Sequence, residues 1–151
     1  MEDAIEILLV EDDPKDVRLT LRELQRENVK NQIVVVRDGA EALDFLFCRG
    51  EFSDRSPNHP PKLVLLDLKL PKVSGLDVLR EIKSKPETRA IAVVVMTSSG
   101  EERDVVDSYK LGVNSYIQKP VDFEQFRQTI KTLGLYWLVV NRLPPDKTFG
   151  S

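Results

Sequence analysis

With 151 residues, 41% of them hydrophobic and 31% charged, the chain has the size of one domain, a core to bury and a surface that water can wet. Its net charge of −3, with no basic block, argues against nucleic acid as a partner, and its single cysteine, Cys48, excludes an internal disulfide framework. The acidic start Met1-Glu2-Asp3-Ala4 lacks a signal-peptide pattern and no apolar run is long enough to span a bilayer, so the expected setting is the cytoplasm, without a membrane partner.

In chain order, Ile5 to Val10 reads as a first apolar strand running directly into Glu11-Asp12-Asp13-Pro14. Pro14 suits the first turn of a helix, expected from about Lys15 to Glu27, with Val17, Leu21 and Leu24 on one face. Gln32 to Val36 is a second strand; Arg37-Asp38-Gly39 looks like an ordinary turn into a helix over Ala40 to Phe47. The proline-rich stretch from Cys48 to Lys62 is a loop, long for a helix-to-strand connection. Leu63 to Leu66 is wholly apolar, as a strand covered on both faces must be, and ends at Asp67. Pro71 and Gly75 break the extended pattern, and a helix is expected from about Ser74 to Lys83. Ala90 to Met96 is a fourth strand closed by Thr97, and Glu101 to Leu111 a charged helix stopped at Gly112. A short fifth strand, Ser115 to Gln118, ends in Lys119-Pro120. The last helix starts near Asp122 and extends towards Leu135–Val140 before Pro144-Pro145. Residues 1–143 thus read as one unit and 144–151 as a polar tail, too short for a DNA-binding module.

Five apolar strands alternating with five helices predict a parallel sheet covered on both faces, with a crevice at the carboxyl ends of the strands. Those ends carry Glu11, Asp12 and Asp13 after the first strand, Asp67 after the third, Thr97 after the fourth and Lys119 after the fifth. Crowded carboxylates repel one another and call for a cation; hard oxygen donors suit Mg²⁺ or Mn²⁺ better than zinc. With a metal beside it, Asp67 could attack phosphorus, Lys119 could balance charge on the phosphoryl group, and the Thr97 hydroxyl could hydrogen-bond one of its oxygens.

These residues resemble the receiver domain of two-component response regulators from Ile5 to about Leu133. The motifs are Val10-Glu11-Asp12-Asp13, Leu66-Asp67-Leu68-Lys69-Leu70-Pro71 with Gly75, Met96-Thr97-Ser98, and Tyr116-Ile117-Gln118-Lys119-Pro120. The resemblance implies a doubly wound, flavodoxin-like fold with strand order 2-1-3-4-5. It implies a phosphoryl acceptor at Asp67, metal ligation by the Asp12 and Asp67 side chains and the Lys69 backbone carbonyl, and Glu11 holding a metal-bound water. It further implies a cis Lys119-Pro120 peptide and a Thr97–Tyr116 switch in which the ring turns inward as Thr97 moves. The long loop before Leu63, the Ser108-Tyr109 and Gly112–Tyr116 runs and the aromatic end of the last helix resemble single-domain regulators paired with cyanobacterial-type phytochromes. A phytochrome-like sensor histidine kinase is then the expected partner.

Other residues read more plainly. Asp13 is a helix-start residue, His59 a solvated loop side chain, and Cys48 a thiol without chemistry. Leu135 to Val140 is apolar all round, which suggests a homodimer through the last helix. The expected function is a stand-alone phosphoacceptor regulator, not an enzyme, whose output is a protein surface around the fourth and fifth helices. The rivals are a Mg²⁺-dependent hydrolase with an aspartate nucleophile, which Lys69 disfavours by standing where a second acid is wanted, and an unphosphorylated scaffold.

Overall fold

The computed structural model describes residues 6–26, 32–98, 102–119 and 122–132. Five parallel strands, β1 (Glu6–Val10), β2 (Gln32–Val36), β3 (Leu63–Leu66), β4 (Ala92–Thr97) and β5 (Ser115–Gln118), form one sheet in the order β2-β1-β3-β4-β5. The connecting helices are α1 (Pro14–Arg26), α2 (Gly39–Leu46), α3 (Gly75–Ser84), α4 (Glu102–Lys110) and α5 (Phe123–Thr132). The expected doubly wound architecture and strand order are the ones observed. The expected cis Lys119-Pro120 peptide and the helix beyond Thr132 lie outside the described residues.

Side-chain alternation along the strands divides the core in two. Leu8, Val10, Val64, Leu66, Val93 and Val95 meet Phe45 and Leu46 of α2 and Val78, Leu79 and Ile82 of α3 on one face. Ile7, Leu9, Leu63, Leu65, Val94, Met96 and Ile117 meet Val17 and Leu24 of α1 and Phe126 of α5 on the other. Every residue of β3 is fully buried, which explains its unbroken apolar run.

The helix starts follow local capping chemistry. Asp13 opens α1, its carboxylate accepting the Lys15 N–H at 2.9 Å. Asp38 and Ser74 do the same for α2 and α3, accepting from Glu41 N–H (2.8 Å) and Asp77 N–H (3.2 Å). Asp122 accepts from Glu124 N–H at 2.9 Å before α5. β4 begins two residues later than the apolar run suggests. Ala90 and Ile91 belong to a turn in which the Thr88 hydroxyl donates to Ile82 O at 2.7 Å and Ile91 N–H donates to Thr88 O at 3.0 Å. It also runs one residue further, because Thr97 pairs with Gln118 of β5.

The long connection from Cys48 to Lys62 contains a short 3-10 turn at Gly50–Phe52 and is tied to α2 by Arg55. The Arg55 guanidinium lies 3.6 Å from the centre of the Phe45 ring, donates to Phe45 O at 2.7 Å and reaches His59 O at 3.2 Å. Packing of Phe52 edge-on to Phe45 completes this anchorage. Among the described residues no helix is long and apolar enough to cross a membrane.

Candidate functional site

The sheet's hydrogen-bond ladder runs one residue past the strands and carries the acidic residues with it. Glu11 N–H donates to Val36 O at 3.0 Å and Asp67 N–H to Val10 O at 3.1 Å, so Glu11 and Asp67 stand side by side above β1 and β3. Lys119 enters in the same way, its N–H donating to Thr97 O at 2.8 Å. Residues 56 and 52 positions apart in sequence therefore meet because their strands are neighbours, or neighbours but one, in this topology.

Glu11 and Asp67 are buried and Asp12 is exposed, and one carboxylate oxygen from each lies within 4.8 Å of the others. Lys119 Nζ sits among carboxylates: it donates to Glu11 Oε1, to Asp16 Oδ2 at 2.8 Å and to Asp67 Oδ2 at 3.1 Å. The other Asp67 oxygen accepts the Lys69 backbone N–H at 3.1 Å, which shapes the turn after β3, while the Lys69 side chain is exposed. Asp13 N–H donates to Glu11 Oε2 at 3.2 Å, and the Asp13 carboxylate is turned to the helix start, as expected of a cap.

Burial pushes the Glu11 carboxyl up to about 7, with the Asp67 charge adding to the rise and the Lys119 hydrogen bond opposing it. Burial alone would lower Lys119, but the hydrogen bonds it donates to Asp16 and Glu11 and the charge of Asp67 hold its ammonium above the ordinary lysine range. One lysine thus does not compensate the acids around it. The donor set is oxygen only, carries surplus negative charge and has one open, exposed member in Asp12. Those properties fit a hard divalent ion.

Thr97 is fully buried at the end of β4. Tyr116 is half-buried on β5, in register with Val95, and packs against the core cluster on the α2–α3 face. His59 is exposed and Cys48 half-buried, its sulfur 3.6 Å from the Arg55 guanidinium.

Two features escaped the sequence reading. Asp16 reaches Lys119 from the first turn of α1; its only signal is a carboxylate placed just inside a helix that starts at the rim. The Asp38-Gly39 turn is more than a turn. An added Cβ at Gly39 would lie 1.9 Å from Val73 O, the Gly39 N–H points to Pro71 O at 3.4 Å, and Asp38 pairs with Lys72 at 3.5 Å. The end of β2 thereby clamps the loop that follows Asp67. Lys72 holds a left-handed φ of 68° there. Gly75 is needed on the other side, since its Cβ would lie 2.3 Å from Asp67 O.

This fold, with its acids, threonine and lysine at the strand ends, belongs to a signalling class. The chain is a member of the response regulator receiver domain family, whose model matches residues 7–131. It is 41% identical over 138 residues to the response regulator Rcp1 of Synechocystis sp. (strain ATCC 27184 / PCC 6803 / Kazusa), covering 91% of this chain and 92% of Rcp1. Among solved structures it is similar to the bacteriophytochrome response regulator RtBRR (52% identity, TM-score 0.82, 95% of this chain and 86% of that one). It is also similar to the Mn²⁺-bound form of Rcp1 (38%, TM-score 0.76, 93% and 99%). The phosphorylated cyanobacterial phytochrome response regulator RcpA is comparable (42%, TM-score 0.76, 94% and 99%). The protein is therefore a response regulator related to those of phytochrome systems.

Proposed function

We propose that the chain accepts a phosphoryl group on Asp67 from a phytochrome-type sensor histidine kinase in the cytoplasm. The observation that carries the reading is the meeting of Lys119 Nζ with Asp67 Oδ2 at 3.1 Å inside an acidic triplet of hard donors. In the transfer, an Asp67 oxygen attacks phosphorus while the bond to the donor's imidazole nitrogen breaks. The histidine leaves as neutral imidazole, its other ring nitrogen keeping the proton it brought, and Asp67 becomes an acyl phosphate. Lys119 is the cation that faces the incoming charge, and the Thr97 hydroxyl is the donor available to a phosphoryl oxygen.

Mg²⁺ or Mn²⁺ would be held by the Asp12 and Asp67 side chains and the Lys69 backbone carbonyl, with Glu11 behind them. When bound, it neutralises charge on the transferring group. The Mn²⁺-bound Rcp1 structure and the phosphorylated RcpA structure support the reading by analogy. Tyr116, beside Thr97's strand, is the candidate relay to the surface of α4, where Tyr109 is 51% exposed. In this reading residues 1–143 are the signalling unit, 144–151 a tail, and the apolar Leu135–Val140 segment the homodimer contact.

Incubation with acetyl phosphate and Mg²⁺, followed by intact mass measurement, tests the acceptor. Wild type gains one phosphoryl group and Asp67→Asn gains none. Turnover of many phosphomonoesters without a stable adduct would favour the hydrolase instead.

A further inference from the structure

We propose that Asp16 is a positioning residue for Lys119 in the phosphoryl-transfer reaction. The inference rests on the phosphoacceptor reading given above. An ammonium has three N–H donors, and here three carboxylates, from β1's end, α1 and β3's end, take them. Two of those carboxylates, Glu11 and Asp67, also belong to the acidic triplet whose oxygens converge within 4.8 Å, and Asp67 is itself the atom donor to phosphorus. Both therefore have a second claim on their lone pairs whenever a cation or a phosphoryl group arrives. Asp16 lies outside that triplet, on the first turn of α1, and its 2.8 Å bond to Lys119 Nζ is free of that competition. It is the anchor of the three that stays with the lysine through the reaction.

The anchor fixes where the ammonium stands. Lys119's side chain is 13% exposed, so it is largely desolvated and depends on protein partners for direction. The Asp16 side chain is 32% exposed, which screens the pair and sets the effect at a modest size. Losing it releases a four-carbon stem to wander while leaving the acids and the fold in place. Such a loss lowers the rate of the bound complex without changing how the donor is first captured.

The test compares wild type, Asp16→Asn and Asp16→Glu with acetyl phosphate and Mg²⁺, following adduct formation against donor concentration. For Asp16→Asn the rate at saturating donor should fall about three- to fivefold with the half-saturating concentration unchanged, and Asp16→Glu should restore most of it. An unchanged rate, or a faster one with tighter donor saturation, would overturn the proposal, the latter by showing that Asp16 merely repels the anionic donor. A second readout needs no donor: the Lys119 Nζ proton signal in Mg²⁺-loaded, isotope-labelled protein. It should be sharp and slowly exchanging in wild type and Asp16→Glu, and lost in Asp16→Asn. If wild type forms no adduct, the phosphoacceptor reading falls by itself, and this signal still decides the Asp16 contact: persistence in Asp16→Asn refutes it.

Discussion

Replacing Glu11 by glutamine separates the stability of this site from its function. The Glu11 carboxyl titrates near 4.5 when free and about 7 in the folded, metal-free protein. The folded state therefore holds the extra proton between those values. The Glu11 contribution to the stability of the metal-free protein falls as pH rises from about 4.5 to about 7, and stays lower above that. At about 1.36 kcal/mol for each pH unit, the displacement corresponds to roughly 3 kcal/mol. Glutamine resembles the protonated form and does not titrate. Glu11→Gln should thus match wild type near pH 4.5 and exceed it by roughly 3 kcal/mol near pH 8 in EDTA. For a urea slope of about 1–3 kcal/mol/M, that is a shift of roughly 1–3 M in midpoint. Excess Mg²⁺ should narrow the gap by raising wild type, since an ion that binds only the folded state stabilises it. A Glu11→Gln protein less stable than wild type near pH 8, or a difference that does not change with pH, would refute the reasoning.

Further expectations concern the parts that support the site. Gly75→Ala would place a methyl 2.3 Å from Asp67 O and 2.4 Å from Leu68 Cα. Because backbone must move, the cost should be about 3 kcal/mol or more, read as a lower urea midpoint together with a lost phosphoryl adduct. Ser108 has the one buried side-chain oxygen without a hydrogen-bond partner among the described residues. Ser108→Ala should therefore raise stability by about 1 kcal/mol, and a loss of that size would mean the hydroxyl is satisfied. Arg55→Ala removes the Phe45 stacking and two carbonyl contacts; about 1–2 kcal/mol should be lost and protease cleavage within residues 48–62 should accelerate. Unchanged cleavage would show that the loop is held by other contacts.

The sheet and its rim were legible because their signals are strong and local. A strand such as Leu63–Leu66, apolar at every position, has few homes other than the middle of a covered parallel sheet. Glu11 and Asp67 follow apolar strands, Thr97 closes another and Lys119 follows the short β5, so strand order gathers them at one rim. Asp16 was hidden because its partner is more than a hundred residues away in sequence and its position, inside a helix, looks like ordinary dipole complementation. The clamp by Gly39 was hidden for a different reason. A glycine after Asp38 serves a turn equally well, and only the proximity of Val73 O reveals the close approach. The late start of β4 reflects a tertiary choice, the Thr88 hydroxyl closing on Ile82 O, that an apolar pattern does not encode.

The central claim is that Asp67 itself becomes the acyl phosphate, within reach of Lys119 and a divalent ion. Borohydride reduction after acetyl phosphate treatment converts an aspartyl phosphate to homoserine, which peptide mass spectrometry locates. Homoserine is expected at position 67 in Mg²⁺ and is expected to be absent in EDTA. Homoserine at another acid, or equal conversion of Asp67 without a divalent ion, would contradict it.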